Sequence, residues 1–156
     1  MTERYFEDFA VGERLTTRGV TMTESMILDF ALVHDPQPFH IDVEAARQSN
    51  YGGLIASGFQ TLALSFRMLW DSGCLTASMG SPGWDELRWL KPVRAGDTIH
   101  VEIEVLEKQP SRSKPDRGVM RVIFRSFNQH GEEVLSARPI VLLRRRPAQE
   151  EASAQR

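Results

Sequence analysis

An α+β architecture, with a curved antiparallel sheet wrapped around one long helix, is predicted by three features of this 156-residue sequence. The run Ser57 to Gly73 carries apolar residues on nearly every face of a helix, so it must be covered on several sides. Three long segments after residue 97 read as strands, with Ile99, Val101, Ile103 and Val105 alternating with polar residues. Helical periodicity precedes residue 74 and strand periodicity follows residue 83, with no repeat and no linker between them. The expected organisation is a single domain over residues 1–146 and a loose tail over 147–156.

In chain order, Thr16 to Thr21 is β-branched enough for a strand. Thr21-Met22-Thr23-Glu24 matches a capping box, and Ile27, Phe30, Ala31 and His34 follow at helical spacing until Pro36 stops the run. Asp42 is expected to cap a short helix, Val43 to Gln48. Ser57-Gly58-Phe59-Gln60 is a second capping box, opening a helix with Phe59, Leu62, Ala63, Phe66, Leu69 and Trp70 as its apolar stripe. Strands follow from Trp84, from Ile99, over Val119 to Asn128 and over Val134 to Arg144. Pro139 argues for an edge position or a bulge in the last of them.

Composition narrows the function. Apolar residues make up 41% and charged residues 26%, ordinary globular values, and the net charge of −2 offers no general attraction for nucleic acid or an anionic membrane. Arg144, Arg145 and Arg146 form only a local basic run. A lone Cys74, expected as a small apolar filler, excludes an internal disulfide framework or a multi-thiolate zinc site. No window approaches the ~20 apolar residues of a membrane span, and the N-terminus lacks an apolar signal core, so a cytoplasmic protein is expected.

Chemistry concentrates in residues 34–42, His-Asp-Pro-Gln-Pro-Phe-His-Ile-Asp. Pro36 and Pro38 push Asp35 and Gln37 toward extended conformations, which predicts a stiff turn in place of a continuing helix. Such a turn can bring the Asp35 carboxylate and the His40 imidazole to one point, where they could grip one water molecule. The plainer readings are that Asp35 bonds its own turn and His40 is a packed histidine. Gln37 reads equally as a turn amide or a working group. Ser57 reads as a helix cap, since Ile-Ala-Ser-Gly-Phe does not form the strained nucleophile elbow. Trp84 and Trp89 read as core or interface.

The segment Asp35-Pro36-Gln37-Pro38-Phe39-His40-Ile41-Asp42 is similar to the D-x-N-P-x-H-x-D pattern of the MaoC-like dehydratases and (R)-specific enoyl-CoA hydratases, which have the hot-dog fold. The resemblance runs from about Tyr5 to Arg144 and includes Gly52 to Gly58 and Trp89-Leu90-Lys91-Pro92-Val93-Arg94-Ala95-Gly96-Asp97-Thr98. Two positions depart from the pattern: Gln37 stands for the usual Asn, and Ser57 for the His that many members carry.

The resemblance implies a hydro-lyase acting on an acyl-CoA thioester without metal or cofactor. Asp35 and His40 would share the catalytic water, with the two proton transfers not individually assigned. The Gly58 N–H, in the first turn of the long helix, would hold the thioester oxygen, and its missing side chain would let substrate approach. Gln37, Ser57, Lys91 and Arg94 are the candidate substrate-binding residues, with Arg112, Lys114 and Arg117 as further candidates for the CoA phosphates. Trp70, Met68 and Leu75 are candidates for an acyl pocket. A homodimer or dimer of dimers is implied, and a hot-dog thioesterase or a non-catalytic acyl-thioester-binding module are the alternatives.

Overall fold

The computed structural model describes residues 3–147; apart from Pro147, the tail expected over 147–156 lies outside the described residues. The elements are β1 (Arg14–Thr16), β2 (Val20–Thr21), α1 (Glu24–His34), α2 (Pro38–Ile41), α3 (Val43–Gln48), α4 (Gly58–Asp71), β3 (Gly83–Trp89), β4 (Thr98–Pro110), β5 (Arg117–Phe127) and β6 (Glu133–Arg144). The strands form one antiparallel sheet in the order β1-β4-β5-β6-β3, and β2 also pairs with β4. Register shifts at Asp85/Arg88, Val105/Glu107 and Ser126/Phe127 mark the bulges by which such a sheet bends. This is the α+β class that the sequence predicts.

Alternation in β4 is as read: Ile99, Val101, Ile103 and Val105 are buried, each separated by a half-exposed polar residue. The strand continues beyond that alternation to Pro110, because its pairing with β5 runs from His100↔Phe127 to Pro110↔Gly118. The expected strand over residues 16–21 is instead split into β1 and β2, both on β4. β6 is an interior strand, and the irregularity lies opposite it: Pro139 pairs with Trp84 next to the shift in β3, where Glu86 adopts φ 52°.

Helix α1 is capped two residues later than the capping box suggests, by Thr23, whose Oγ1 accepts from Met26 N at 3.1 Å. Asp42 caps α3 as expected, accepting from Glu44 N and Ala45 N. Ser57 caps α4, but the second box is half formed. Gln60 donates across to Met26 O at 2.6 Å in place of reaching back, and its Oε1 is buried without a partner.

Most of the apolar stripe read on α4 lies on its exposed side, with Leu69 buried and Leu62 half-buried. Phe59, Phe66 and Trp70 are exposed, while Thr61, Ser65, Met68 and Leu69 are buried. Small polar residues let the helix lie close to the sheet, and Ser65 and Ser126 satisfy each other by a buried 2.8 Å hydrogen bond. Cys74 is buried, and burial pushes its thiol up, as suits an inert filler. The basic run is spent locally: Arg144, Arg145 and Arg146 pair with Glu3, Glu7 and Asp8.

Candidate active site

Three segments converge where α1 ends, where α4 begins, and at the turn before β4. Helix α1 stops because Pro36 disfavours the helical conformation in the residue before it; Asp35 closes it, donating its N–H to Ala31 O, and turns away at φ −153°. Gln37 is extended, as expected of a residue before proline. The rest of the segment departs from the stiff turn that the prolines predict. Pro38 starts a single helical turn, α2, because its fixed φ suits the first position of a helix. His40 sits on that turn and points inward.

The chain then doubles back, and Ile55 runs beside α2. Ile55 N donates to Phe39 O, and the buried His40 ring, 4% exposed, places Nδ1 2.8 Å from Ile55 O. A carbonyl only accepts, so Nδ1 carries the proton, and in the neutral ring Nε2 keeps its lone pair. That Nε2 stands 3.4 Å from Asp35 Oδ2. The five-residue separation is thus folded back as the sequence predicts. Both facing atoms are acceptors when the ring is neutral, so whatever bridges them must donate to both, as a water molecule can.

Asp35 is held from two other directions. Gln37 Nε2 donates to Oδ1 at 2.8 Å and Ser57 Oγ donates to Oδ2 at 2.6 Å. Burial raises the carboxyl, but these two hydrogen bonds and the charge of a protonated His40 outweigh it, leaving Asp35 below the usual carboxylate range.

The pair faces a cavity of about 390 Å³ whose lining includes Asp35, Gln37, His40, Gly58, Trp89 and Lys91, a volume in the range of small-molecule sites. The Gly58 N–H, at the first position of α4, has no acceptor within the helix and lies at the positive end of its dipole. The space where a Gly58 side chain would be is not left open for a substrate, as the resemblance suggests. The face of the Trp89 indole fills it, with Nε1 2.4 Å from the position of a Cβ.

The remaining candidates divide. Ser57 is fully buried and does not line the cavity, so its one polar reach is to Asp35. Lys91 lines the cavity and pairs with Glu132. Arg94 does not line it; the guanidinium binds Tyr51 O and steadies the loop that carries Gly53. Arg112 and Lys114 lie in the β4–β5 hairpin, at the opposite end of β4 from the turn before Thr98, roughly 40 Å away at ~3.3 Å per strand residue. Arg117 pairs with Asp116 there, so within one copy these three cannot reach the cavity.

Sequence reasoning missed Trp89 as a cavity wall and the carbonyl of Ile55, which sets the His40 tautomer. Trp89 directly precedes the Leu90-Lys91-Pro92 segment, a signal that could have placed it; a main-chain carbonyl leaves none. A second, apolar cavity of about 120 Å³ lies between the C-terminal half of α4 and the sheet, lined by Leu69, Trp70, Leu75, Trp84 and Phe124 among others. Met68 is packed in the core and does not line it. Among the described residues no group of three or more His, Cys, Asp or Glu side chains is placed to hold a metal ion.

Comparison with known proteins places this geometry in context. The model of the MaoC like domain matches residues 8–124. A MaoC-like dehydratase from Rhodospirillum rubrum has the same fold, with TM-score 0.83 and 40% identity, covering 93% of this chain and 99% of the other. YdeM of Bacillus subtilis, an uncharacterized protein, is 31% identical over 140 residues, 89% of this chain and 98% of its own length. The mesaconyl-CoA hydratase of Cereibacter sphaeroides is 32% identical over 147 residues, 92% of this chain and 42% of that enzyme. The chain thus spans nearly all of one relative and under half of the other.

Proposed function

Since the chain belongs to the MaoC-like domain family, we propose that it is a hydro-lyase that adds water to, or removes it from, the acyl chain of a CoA thioester. The single observation that carries this reading is the 3.4 Å approach of His40 Nε2 to Asp35 Oδ2 at a cavity that also holds the free Gly58 N–H.

In the hydration direction, water donates one hydrogen to His40 Nε2 and the other to Asp35. Its O–H bond to the imidazole breaks as the oxygen attacks the β-carbon of the enoyl thioester. The electron pair of the double bond moves onto the thioester oxygen, which accepts from Gly58 N–H; one such donor is worth roughly 3 kcal/mol in the transition state. The imidazolium, steadied by the Asp35 carboxylate, returns a proton to the α-carbon, and atoms and charge balance. Dehydration is the reverse.

The apolar cavity beside Trp70 and Leu75 supports an acyl tail lying along α4. The exposed Phe59, Phe66 and Trp70, beside the edge strand β3, support pairing of two copies through that side. No described helix is long and apolar enough to cross a membrane, which suits a cytoplasmic enzyme.

The alternatives predict different products. A panel of enoyl-CoA and 3-hydroxyacyl-CoA esters, followed by absorbance of the conjugated double bond and by titration of free thiol, separates them. Change in the double bond without thiol release is expected. Thiol release indicates a thioesterase, and binding with neither signal indicates a carrier module; either overturns the proposal.

A further inference from the structure

Ser57 is a fully buried hydroxyl with two partners on opposite sides. It accepts from Phe59 N at 3.2 Å and lies 2.6 Å from Asp35 Oδ2. A serine hydroxyl has a single hydrogen, and the carboxylate is an acceptor, so that hydrogen is committed to Asp35. None remains for a substrate, and the residue does not line the cavity. The second carboxylate oxygen is held by Gln37 Nε2 at 2.8 Å, from the exposed side. Each donor uses one lone-pair position on its oxygen, and Asp35 itself lines the cavity.

From this arrangement we infer that Ser57, with Gln37, is a positioning residue that holds Asp35 as a fixed acceptor for the water's hydrogen, leaving His40 Nε2 as the group that carries the proton. A carboxylate stabilised as the anion by two donors is a weak base, and its orientation is locked. Imidazole can both take up and return a proton, and here its free nitrogen faces the same point. Ser57 therefore acts through Asp35. It is neither a substrate contact nor a nucleophile, for a nucleophile would have to open onto the cavity.

The chemistry of this inference rests on the hydro-lyase reading; the contacts stand without it, and the test separates the two. The Asp35 carboxyl is followed by carbon-13 NMR through a pH titration, assigned by its loss in Asp35→Asn, in the unaltered chain and in Ser57→Ala, Ser57→Thr and Gln37→Ala. Removing either donor is expected to move the Asp35 titration upward, while Ser57→Thr, which keeps the hydroxyl, stays near the unaltered chain. On an enoyl thioester, Ser57→Ala is expected to lose about tenfold or more in kcat with little change in KM, as for loss of a hydrogen bond to a charged group. Its acid limb should move up in pH.

Loss of the helix cap alone would lower the thermal midpoint and leave the Asp35 titration where it was, and that result overturns the inference. So does a rise in KM at constant kcat, which marks a substrate contact. Should Ser57→Ala fail to fold, the exposed Gln37→Ala decides by the same titration, an unmoved midpoint counting against the clamp. If the unaltered chain turns over no enoyl thioester, the hydro-lyase reading falls by itself, and the carboxyl titration still reports whether Asp35 is held.

Discussion

The indole of Trp89 lies against the Cα of Gly58, so that Nε1, Cε2 and Cδ1 all fall within 2.7 Å of where a Cβ would stand. The first residue of α4 is therefore a glycine for the sake of its aromatic neighbour, since any residue but proline would supply the amide. Trp89 is 46% exposed and can swing aside. Gly58→Ala is expected to leave the fold intact, with a stability change within about 1 kcal/mol, the low end of overpacking costs. It should change tryptophan fluorescence and lower kcat/KM. An unaltered emission spectrum would mean that the indole does not rest there.

Gly118 faces the same kind of contact without the escape. A Cβ there would stand 2.3 Å from Phe6 Cδ2 and Cε2, and Phe6 is buried under the 3-10 turn Phe6–Asp8. Gly118→Ala is expected to cost about 1–3 kcal/mol, the range for overpacking a fixed core. Denaturant unfolding measures it, and a loss no larger than that of Gly58→Ala would contradict the difference in mobility.

Asp35 is also expected to leave a mark on stability against pH. Its folded pKa lies below the ordinary value of 3.8, with burial opposing and the hydrogen bonds from Ser57 and Gln37 and the His40 charge prevailing. The folded state thus binds fewer protons here than the unfolded state. The stabilisation is present above about pH 3.8 and is lost as the pH falls through the depressed folded value. Thermal melts of the unaltered chain and Asp35→Asn should differ most near neutrality and converge on acidification below pH 3.8. A difference that widens with acid would reverse the sign of the shift.

Pairing of two copies through the exposed aromatic side makes a further test. Light scattering of the unaltered chain should give at least the mass of a dimer. Phe66→Ser combined with Trp70→Ser, both on the exposed side of α4, is expected to shift the mass toward the monomer. Retention of the larger mass by the double variant would move the interface elsewhere.

Much of this was legible in the residues. The Ile99 to Val105 alternation gave the buried face of β4, and Asp42 and Ser57 gave two helix starts, because both signals are local. The approach of Asp35 and His40 was legible in their spacing within the family motif, although Pro38 opens a helical turn where a stiff turn is expected. The buried side of α4 was not: periodicity marks aromatic residues as core, whereas here Thr61 and Ser65 permit close approach to the sheet and the aromatics face outward. Nor could spacing show that Arg94 is taken up by Tyr51 O, or that Ser57 turns toward Asp35, since both contacts join segments distant in sequence.

The most direct measurement is turnover of an enoyl-CoA by the unaltered chain, His40→Ala and Asp35→Asn, each checked for folding by its thermal midpoint. The unaltered chain is expected to consume the conjugated double bond, and each variant to lose about 10² to 10⁴ in rate, the span of acid–base assistance. Equal rates in all three folded proteins would contradict a water held between His40 and Asp35.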